Sequence, residues 1–425
     1  MRTGLESPLS LFGFAVMLLT GLMAATPGAE NPAHTDNATA SAKADDGWRT
    51  VTIRAQVPAS TGTVYLTGNR PELGNWNPRG FAMTGTGRER TAVLRLPLGT
   101  ELEYKFTLGS WDREGLGPSG TILPNHRLSV DADKEVTIVI PDFKKDTTEY
   151  LKDWKGPGVL GRLEYWQNVS SKFLTATRHV EIWLPPGYDE NTTNRYDVLY
   201  MHDGQNLFDP RIANTGVAWG VDEAIVRGVK AGRIPTLIVV GVWSTDQRLG
   251  EYSPWDLGTN YARFLIEELM PPVNQKFRTR TGPGHTAVMG SSMGGLISFW
   301  LCWQYPQVFG RGGCLSTHFP WDGKVTHDGS GDTPFIERAI AAGASVPQGI
   351  RLYFDYGTRG IDSTYEPVQN KVNAWLASQG LKEGEDFVVR KIEGADHNEA
   401  AWRARLDEPL TFLFGHRAES ENRKP

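Results

Sequence analysis

The run TLIVVGVW, Thr236–Trp243, constrains the fold more than any other stretch of the 425-residue chain. It is apolar almost throughout. A strand with apolar side chains on both faces must be covered on both faces, as in a parallel sheet clad with helices. The surroundings agree. From Arg162 onward, short strand patterns (HVEIWLPPG, YDVLYMHDG, HTAVMG, IRLYFDYG, DFVVRKIEG) alternate with helical ones (YARFLIEELMPPV, VQNKVNAWLASQG, NEAAWRARL). In the first of those helices Tyr261, Phe264, Leu265 and Leu269 share a face. The reading is a doubly wound α/β domain over residues 162–418, whose ligands belong at the carboxyl ends of its strands.

Between Trp48 and Pro141 the period changes. TVTIRAQV, GTVYLTG, TAVLRLPLG, ELEYKFTLG, NHRLSV and KEVTIVIP alternate apolar with polar residues and are separated by Gly, Pro and Asn turns. Residues 47–142 therefore read as an all-β, immunoglobulin-like sandwich. The stretch 143–161, with KKDTTEYLKDWKGPG, reads as a linker, and 419–425 as a disordered tail. No internal repeat is found.

The start of the chain reads as an export signal over residues 1–29. Arg2 precedes the apolar run Leu9–Ala25, and Ala25 or Ala29 offers a small-residue cleavage site. An uncleaved anchor is the competing reading, but the run is short for a span. The expectation is a secreted or periplasmic protein with no stable membrane insertion once the signal is removed. Residues 30–46 read as a disordered linker. A net charge of −5 without a basic block argues against nucleic acid as a partner. Cys302 and Cys314 leave one disulfide open, with two buried thiols the preferred reading. No Cys cluster or His-Glu-x-x-His pattern points to a metal, and no cofactor is expected.

Gly290-Ser291-Ser292-Met293-Gly294 matches G-x-S-x-G between a strand and a helix, the setting of a nucleophile elbow. The central Ser292 would sit in a strained turn with its hydroxyl exposed at a helix N-terminus, where developing negative charge is favoured. Ser291 should point elsewhere. A serine needs a base, and the base needs an orienting acid. His397, directly after strand DFVVRKI, stands where the base belongs. His416, His318, His202 and His285 are the weaker rivals, with His318 placed to line the site. After strand IRLYFDYG the acid is sought among Asp355, Asp362 and Glu366. Asp362, in the body of the loop, is preferred and Glu366 is second. The oxyanion hole needs two N–H donors, expected from Met293, after the nucleophile, and from Gln205 in YMHDGQNLFD.

With these residues in hand, the catalytic domain resembles the putative-esterase family of α/β-hydrolases, which includes enterochelin-esterase-like, feruloyl and acetylxylan esterases and mycolyltransferases. The motifs are WLPPGYD, LYMHDGQNLFD, WGVDEAI, IVVGVWSTDQRLGEYSPW, FRTRTGPGHTAVMGSSMGGLISF, FDYGTRGIDSTYEP and EGADHNEAAW. The resemblance implies an α/β-hydrolase fold, a triad of Ser292, Asp362 and His397, and an oxyanion hole from Gln205 and Met293. The N-terminal region is similar to a starch-binding-type carbohydrate-binding module. VYLTGNRPELGNWNP corresponds to the stretch leading to its first sugar-stacking tryptophan, Trp76, and LEYKFTLGSW to the segment with Lys105 and Trp111. The stretch DREGLGPSGTILPNH after Trp111 is longer than such modules carry, and Trp76 is equally readable as a core residue. The implied activity is an exported serine carboxylesterase acting on an ester on or near a carbohydrate, with the module as a tether. The alternatives are acyl transfer to a sugar, hydrolysis of a siderophore ester, and a non-enzymatic carbohydrate-binding protein.

Overall fold

The computed structural model describes residues 47–118, 123–144, 158–319 and 335–415. The expected signal, the stretch 30–46, most of the linker 143–161, His416 and the tail 419–425 lie outside them.

The N-terminal module holds β1 (Trp48–Gln56), β2 (Tyr65–Gly68), β3 (Phe81–Ala82), β4 (Glu89–Pro97), β5 (Thr100–Thr107), β6 (Gly115–Leu116), β7 (His126–Val130), β8 (Lys134–Val139) and β9 (Asp142–Phe143). They form sheets of order β4-β1-β8 and β3-β2-β5-β7 and the pair β6-β9. Alternation does what it should: Val51, Ile53 and Ala55 of β1 and Leu102, Tyr104 and Phe106 of β5 enter one shared core. The short strands β3, β6 and β9 were not legible in the sequence.

The α/β domain is built on β10 (Arg162–Val169), β11 (Arg178–Leu184), β12 (Asp197–His202), β13 (Leu237–Val242), β14 (Thr286–Ser291), β15 (Arg311–Leu315), β16 (Arg351–Gly357) and β17 (Phe387–Ile392). Their order is β10-β11-β13-β12-β14-β15-β16-β17. β10–β11 and β11–β13 pair antiparallel, and every other neighbouring pair is parallel. The apolar run Thr236–Trp243 is β13. Its Leu237 and Val239 join one core cluster and Ile238, Val240 and Val242 the other, so the sheet is packed on both faces. Each such side chain is worth about 1.5–3 kcal/mol when fully buried.

The helical pattern around YARFLIEELMPPV is not a uniform α-helix. Gly258–Arg263 and Met270–Lys276 are α-helical, and Phe264–Leu269 between them is a π-helix in which the Met270 N–H bonds the Leu265 carbonyl. Pro271 and Pro272 lack N–H groups and crowd the carbonyls one turn back, so the ladder shifts by one residue. A last helix, Asp407–Phe414, follows Glu399–Arg405 and packs Leu410, Leu413 and Phe414 into the core. Among the described residues no helix is long and apolar enough to cross a membrane. Cys302 and Cys314 are buried and not in a disulfide.

This layout gathers five loops at one end of the sheet. The loops carrying Gln205, Ser292, His318, Asp362 and His397 all leave the carboxyl ends of β12, β14, β15, β16 and β17. β12 and β14 are neighbours, while β13 lies on the other side of β12. The chain therefore leaves β12 in one direction and later returns to its other side, the arrangement that opens a crevice at the strand ends.

Candidate active site

Ser292 joins β14 to the helix Met293–Gln304 with φ 57° and ψ −122°. A non-glycine residue at positive φ costs about 1–3 kcal/mol and persists only when its surroundings over-determine it. Here they do. The Ser292 N–H bonds the Leu315 carbonyl at 2.9 Å, and its own carbonyl accepts from Leu296 and His318 at 3.1 and 3.2 Å. The flanking glycines permit a close approach, because a Cβ on Gly290 would fall 2.8 Å from the backbone of Gly294. Strand and helix could not come so near with side chains there. Ser291 is buried at 5% exposure, whereas Ser292 is half-buried.

His397 stands on the loop after β17, and its Nδ1 is 2.5 Å from Asp362 Oδ1. Its ring meets the Trp402 and Tyr365 rings edge-on, at 5.1 and 6.0 Å. Asp362 lies in the 3-10 turn Gly360–Thr364 and is fully buried. Its second oxygen accepts from the Ser316 hydroxyl at 2.6 Å and the Gly357 N–H at 2.7 Å. Burial alone would push this carboxyl up, but the bonds from His397, Ser316 and Gly357 prevail and hold it below the ordinary carboxylate range.

The competing carboxylates are placed elsewhere. Asp355 is buried against Arg405, with two bonds of 2.9 Å, and also accepts from the Ser316 N–H. Burial raises its carboxyl in spite of the guanidinium. Glu366 is a surface residue bonded to Lys391 at 2.9 Å. Of the rival histidines, His202 is buried, and desolvation lowers it to about 3, which leaves it neutral with Nδ1 on the Tyr261 hydroxyl. His285 pairs with Asp197 at the opposite end of the sheet. His318 is a neighbour of the site, with Nδ1 2.6 Å from the Tyr365 hydroxyl.

The turn after β12 is held as firmly as the elbow. Asp203 has φ 55°, and Arg248 grips both its oxygens at 2.6 and 2.8 Å. A Cβ on Gly204 would come within 2.6 Å of the Gly241 backbone. Gln205 is fixed by both ends of its amide: Nε2 donates to the Ser244 hydroxyl at 2.7 Å, and Oε1 accepts from the Ser244 N–H at 3.1 Å. Gln205 and Met293 each lie in the first turn of a helix, where the backbone N–H has no intrahelical acceptor.

In the module, the structure brings Trp76 and Trp111 together, half-buried, with ring centroids 6.5 Å apart and tilted by 37°. Lys105 does not open onto a sugar face beside them. It is 6% exposed, and its Nζ is 3.3 Å from Glu114 and 2.8 Å from the Asn214 carbonyl of the catalytic domain. Arg127 likewise reaches Asp396 at 3.7 Å. The module thus touches the catalytic domain, a contact that the tether reading did not include.

Sequence reasoning missed Ser316, Trp402 and Arg405. The Ser316 hydroxyl accepts from the Trp402 indole at 2.9 Å and from Arg405 at 2.8 Å while donating to Asp362. The only hint was that Ser316 follows the carboxyl end of β15, where site residues of such sheets gather. Among the described residues no group of His, Cys, Asp or Glu is arranged to hold a metal ion.

A family model described as "Putative esterase" matches residues 171–413, and one described as "Starch binding domain" matches residues 50–137. An uncharacterized Bacillus subtilis protein, YbbA, is 23% identical over 259 residues, which are 58% of this chain and 96% of the relative. The endo-1,4-beta-xylanase/feruloyl esterase of Xylanibacter ruminicola is 28% identical over 193 residues, 44% of this chain and 25% of that protein. Among solved structures, the enterobactin esterase of Shigella flexneri superposes with a TM-score of 0.48 at 16% identity, covering 88% of this chain and 95% of that one.

Proposed function

The chain belongs to the "Putative esterase" family of carboxylic ester hydrolases, and from that premise we propose that it is an exported serine esterase acting on an acyl group carried by a carbohydrate. The observation that carries the reading is a half-exposed serine in a strained elbow after β14 together with a histidine, on the loop after β17, bonded to a buried carboxylate, all at the carboxyl ends of one sheet's strands. Ser292 Oγ attacks the acyl carbon and passes its proton to His397 Nε2. Asp362 keeps the Nδ1 proton in place and stabilises the imidazolium. The Gln205 and Met293 amides receive the negative oxygen of the tetrahedral intermediate, a contribution of about 3 kcal/mol for each such donor. Collapse hands the His397 proton to the departing alcohol and leaves an acyl group on Ser292. Water, deprotonated by His397, then releases the acid and restores the serine.

The carbohydrate part of the reading is supported by the starch-binding match and by the Trp76–Trp111 pair, whose flat faces suit pyranose rings. A relative named as an endo-1,4-beta-xylanase and feruloyl esterase makes feruloyl groups on an oligosaccharide the first substrates to try. Export is supported by the apolar leader Leu9–Ala25. The test is hydrolysis of acetylated and feruloylated oligosaccharides by purified protein, with Ser292→Ala as the blank and product analysis in added free sugar. Release of free acid by wild type alone supports the proposal. Equal release by Ser292→Ala, or an acyl group found mainly on the added sugar, overturns it.

A further inference from the structure

Lys105 and Arg127 are charged side chains on strands of the module that do not serve its core. On β5 the core positions are Leu102, Tyr104 and Phe106, so Lys105 points the other way. Within the module it pairs with the buried Glu114 at 3.3 Å. Here Lys105 is buried and bonded to the Asn214 carbonyl, and Arg127 of β7 reaches Asp396, the residue before His397. Two loops of the active-site rim, one from each side, are therefore touched by the module.

Asn214 is not an incidental contact. Its N–H donates to Asn206 Oδ1 at 2.8 Å, and the Asn206 amide nitrogen is 3.4 Å from Glu399 Oε1. Thr215, the next residue, donates to Glu399 Oε2 at 2.8 Å. The Asn206 carbonyl accepts from the Trp219 N–H at 2.8 Å. Asn206 and Glu399 are 4% and 7% exposed. Asn206 adjoins Gln205, and Glu399 opens the helix that follows His397. Bonds to the carbonyl and the N–H of Asn214 thus link Lys105 to the side chain of Asn206, the residue that follows Gln205 in the same turn. The charge balance agrees: burial raises the Glu399 carboxyl, and the Lys105 ammonium is among the groups opposing that rise.

We propose that Lys105 is a positioning residue of the esterase: from the module, through Asn214 and Asn206, it holds the oxyanion turn in register with Ser292. The proposal rests on the esterase reading above. Donors to an oxyanion act in the transition state, so loosening them lowers kcat and leaves KM nearly unchanged. A small displacement of such a group costs about 10- to 100-fold.

The test uses the full-length protein and p-nitrophenyl acetate. Lys105→Met, checked by its thermal melt, is expected to lower kcat at least about tenfold with KM within about twofold. Lys105→Arg should recover most of the rate, and Arg54→Gln, in an exposed ion pair of the same module, should match wild type. In a double-mutant cycle Lys105→Met and Asn206→Ala should fall short of additivity, because they break one chain of bonds. Wild-type kcat in folded Lys105→Met, a change confined to KM, or full additivity overturns the proposal. If Lys105→Met melts below the assay temperature, Lys105→Gln replaces it. Loss of fold in both assigns Lys105 to stability and also overturns the proposal. An inert wild type, or a Ser292→Ala variant that stays active, instead refutes the esterase reading itself.

Discussion

Replacing Asp362 by asparagine isolates one proton. In the native site Oδ2 accepts from the Ser316 hydroxyl and the Gly357 N–H, leaving Oδ1 for His397. An asparagine has one accepting oxygen and one donating nitrogen. The two donors at the Oδ2 position dictate which way it turns: its oxygen must face Ser316 and Gly357. Its NH2 group then faces His397 Nδ1, which can only accept. The imidazole proton moves to Nε2, the nitrogen that should take the proton of Ser292. The geometry survives while the tautomer is wrong. The same substitution in a serine-protease triad costs about 10⁴ in kcat, or about 5.5 kcal/mol. We expect a loss of that order on an aryl ester near neutral pH, with KM little changed. A folded Asp362→Asn variant within about tenfold of wild type, or a large loss in Glu366→Gln instead, would refute the assignment of the acid. Acid unfolding gives a second check. The Asp362 carboxyl titrates lower in the folded than in the unfolded chain, where it is near about 3.9. Its ionised form therefore contributes stability that is present above that value and is lost as pH falls through the folded one. The stability of wild type relative to Asp362→Asn should hold steady above about pH 4 and decline below it.

The remaining predictions are simpler. A serine-directed phosphonate should label Ser292 and spare the buried Ser291, and Ser292→Ala should lose about 10⁶ in turnover; peptide mapping that puts the adduct on Ser291 contradicts the elbow. Arg405→Leu leaves Asp355 buried without its guanidinium and should cost about 3–5 kcal/mol in denaturant unfolding; a change below about 1 kcal/mol would mean that the pair is not buried as the structure shows. Trp111→Ala should weaken retention of the full-length protein on granular starch by about tenfold, about 1.4 kcal/mol; unchanged retention would exclude the Trp76–Trp111 face as the sugar platform.

Local sequence determined what depends on local physics. The apolar run Leu237–Val242 had to lie inside a covered sheet, and its side chains divide between two cores. The spacing of Gly290 and Gly294 announced a close strand-to-helix turn, because only residues without a Cβ permit that approach. The position of His397 after the last strand was legible for a related reason: chain order fixes which strand end a loop leaves. Three carboxylates within one short stretch, Asp355, Asp362 and Glu366, could not be separated in that way. What distinguishes them comes from distant residues: Arg405 pairs with Asp355, Lys391 pairs with Glu366, and Ser316 and His397 meet at Asp362. Lys105 makes the same point across domains. Its place on β5 follows from alternation, but whether an outward lysine meets water, sugar or protein is decided by what the fold packs against that face. Only the tertiary structure puts Asn214 there, because burial and partnership belong to pairs of residues far apart in the chain.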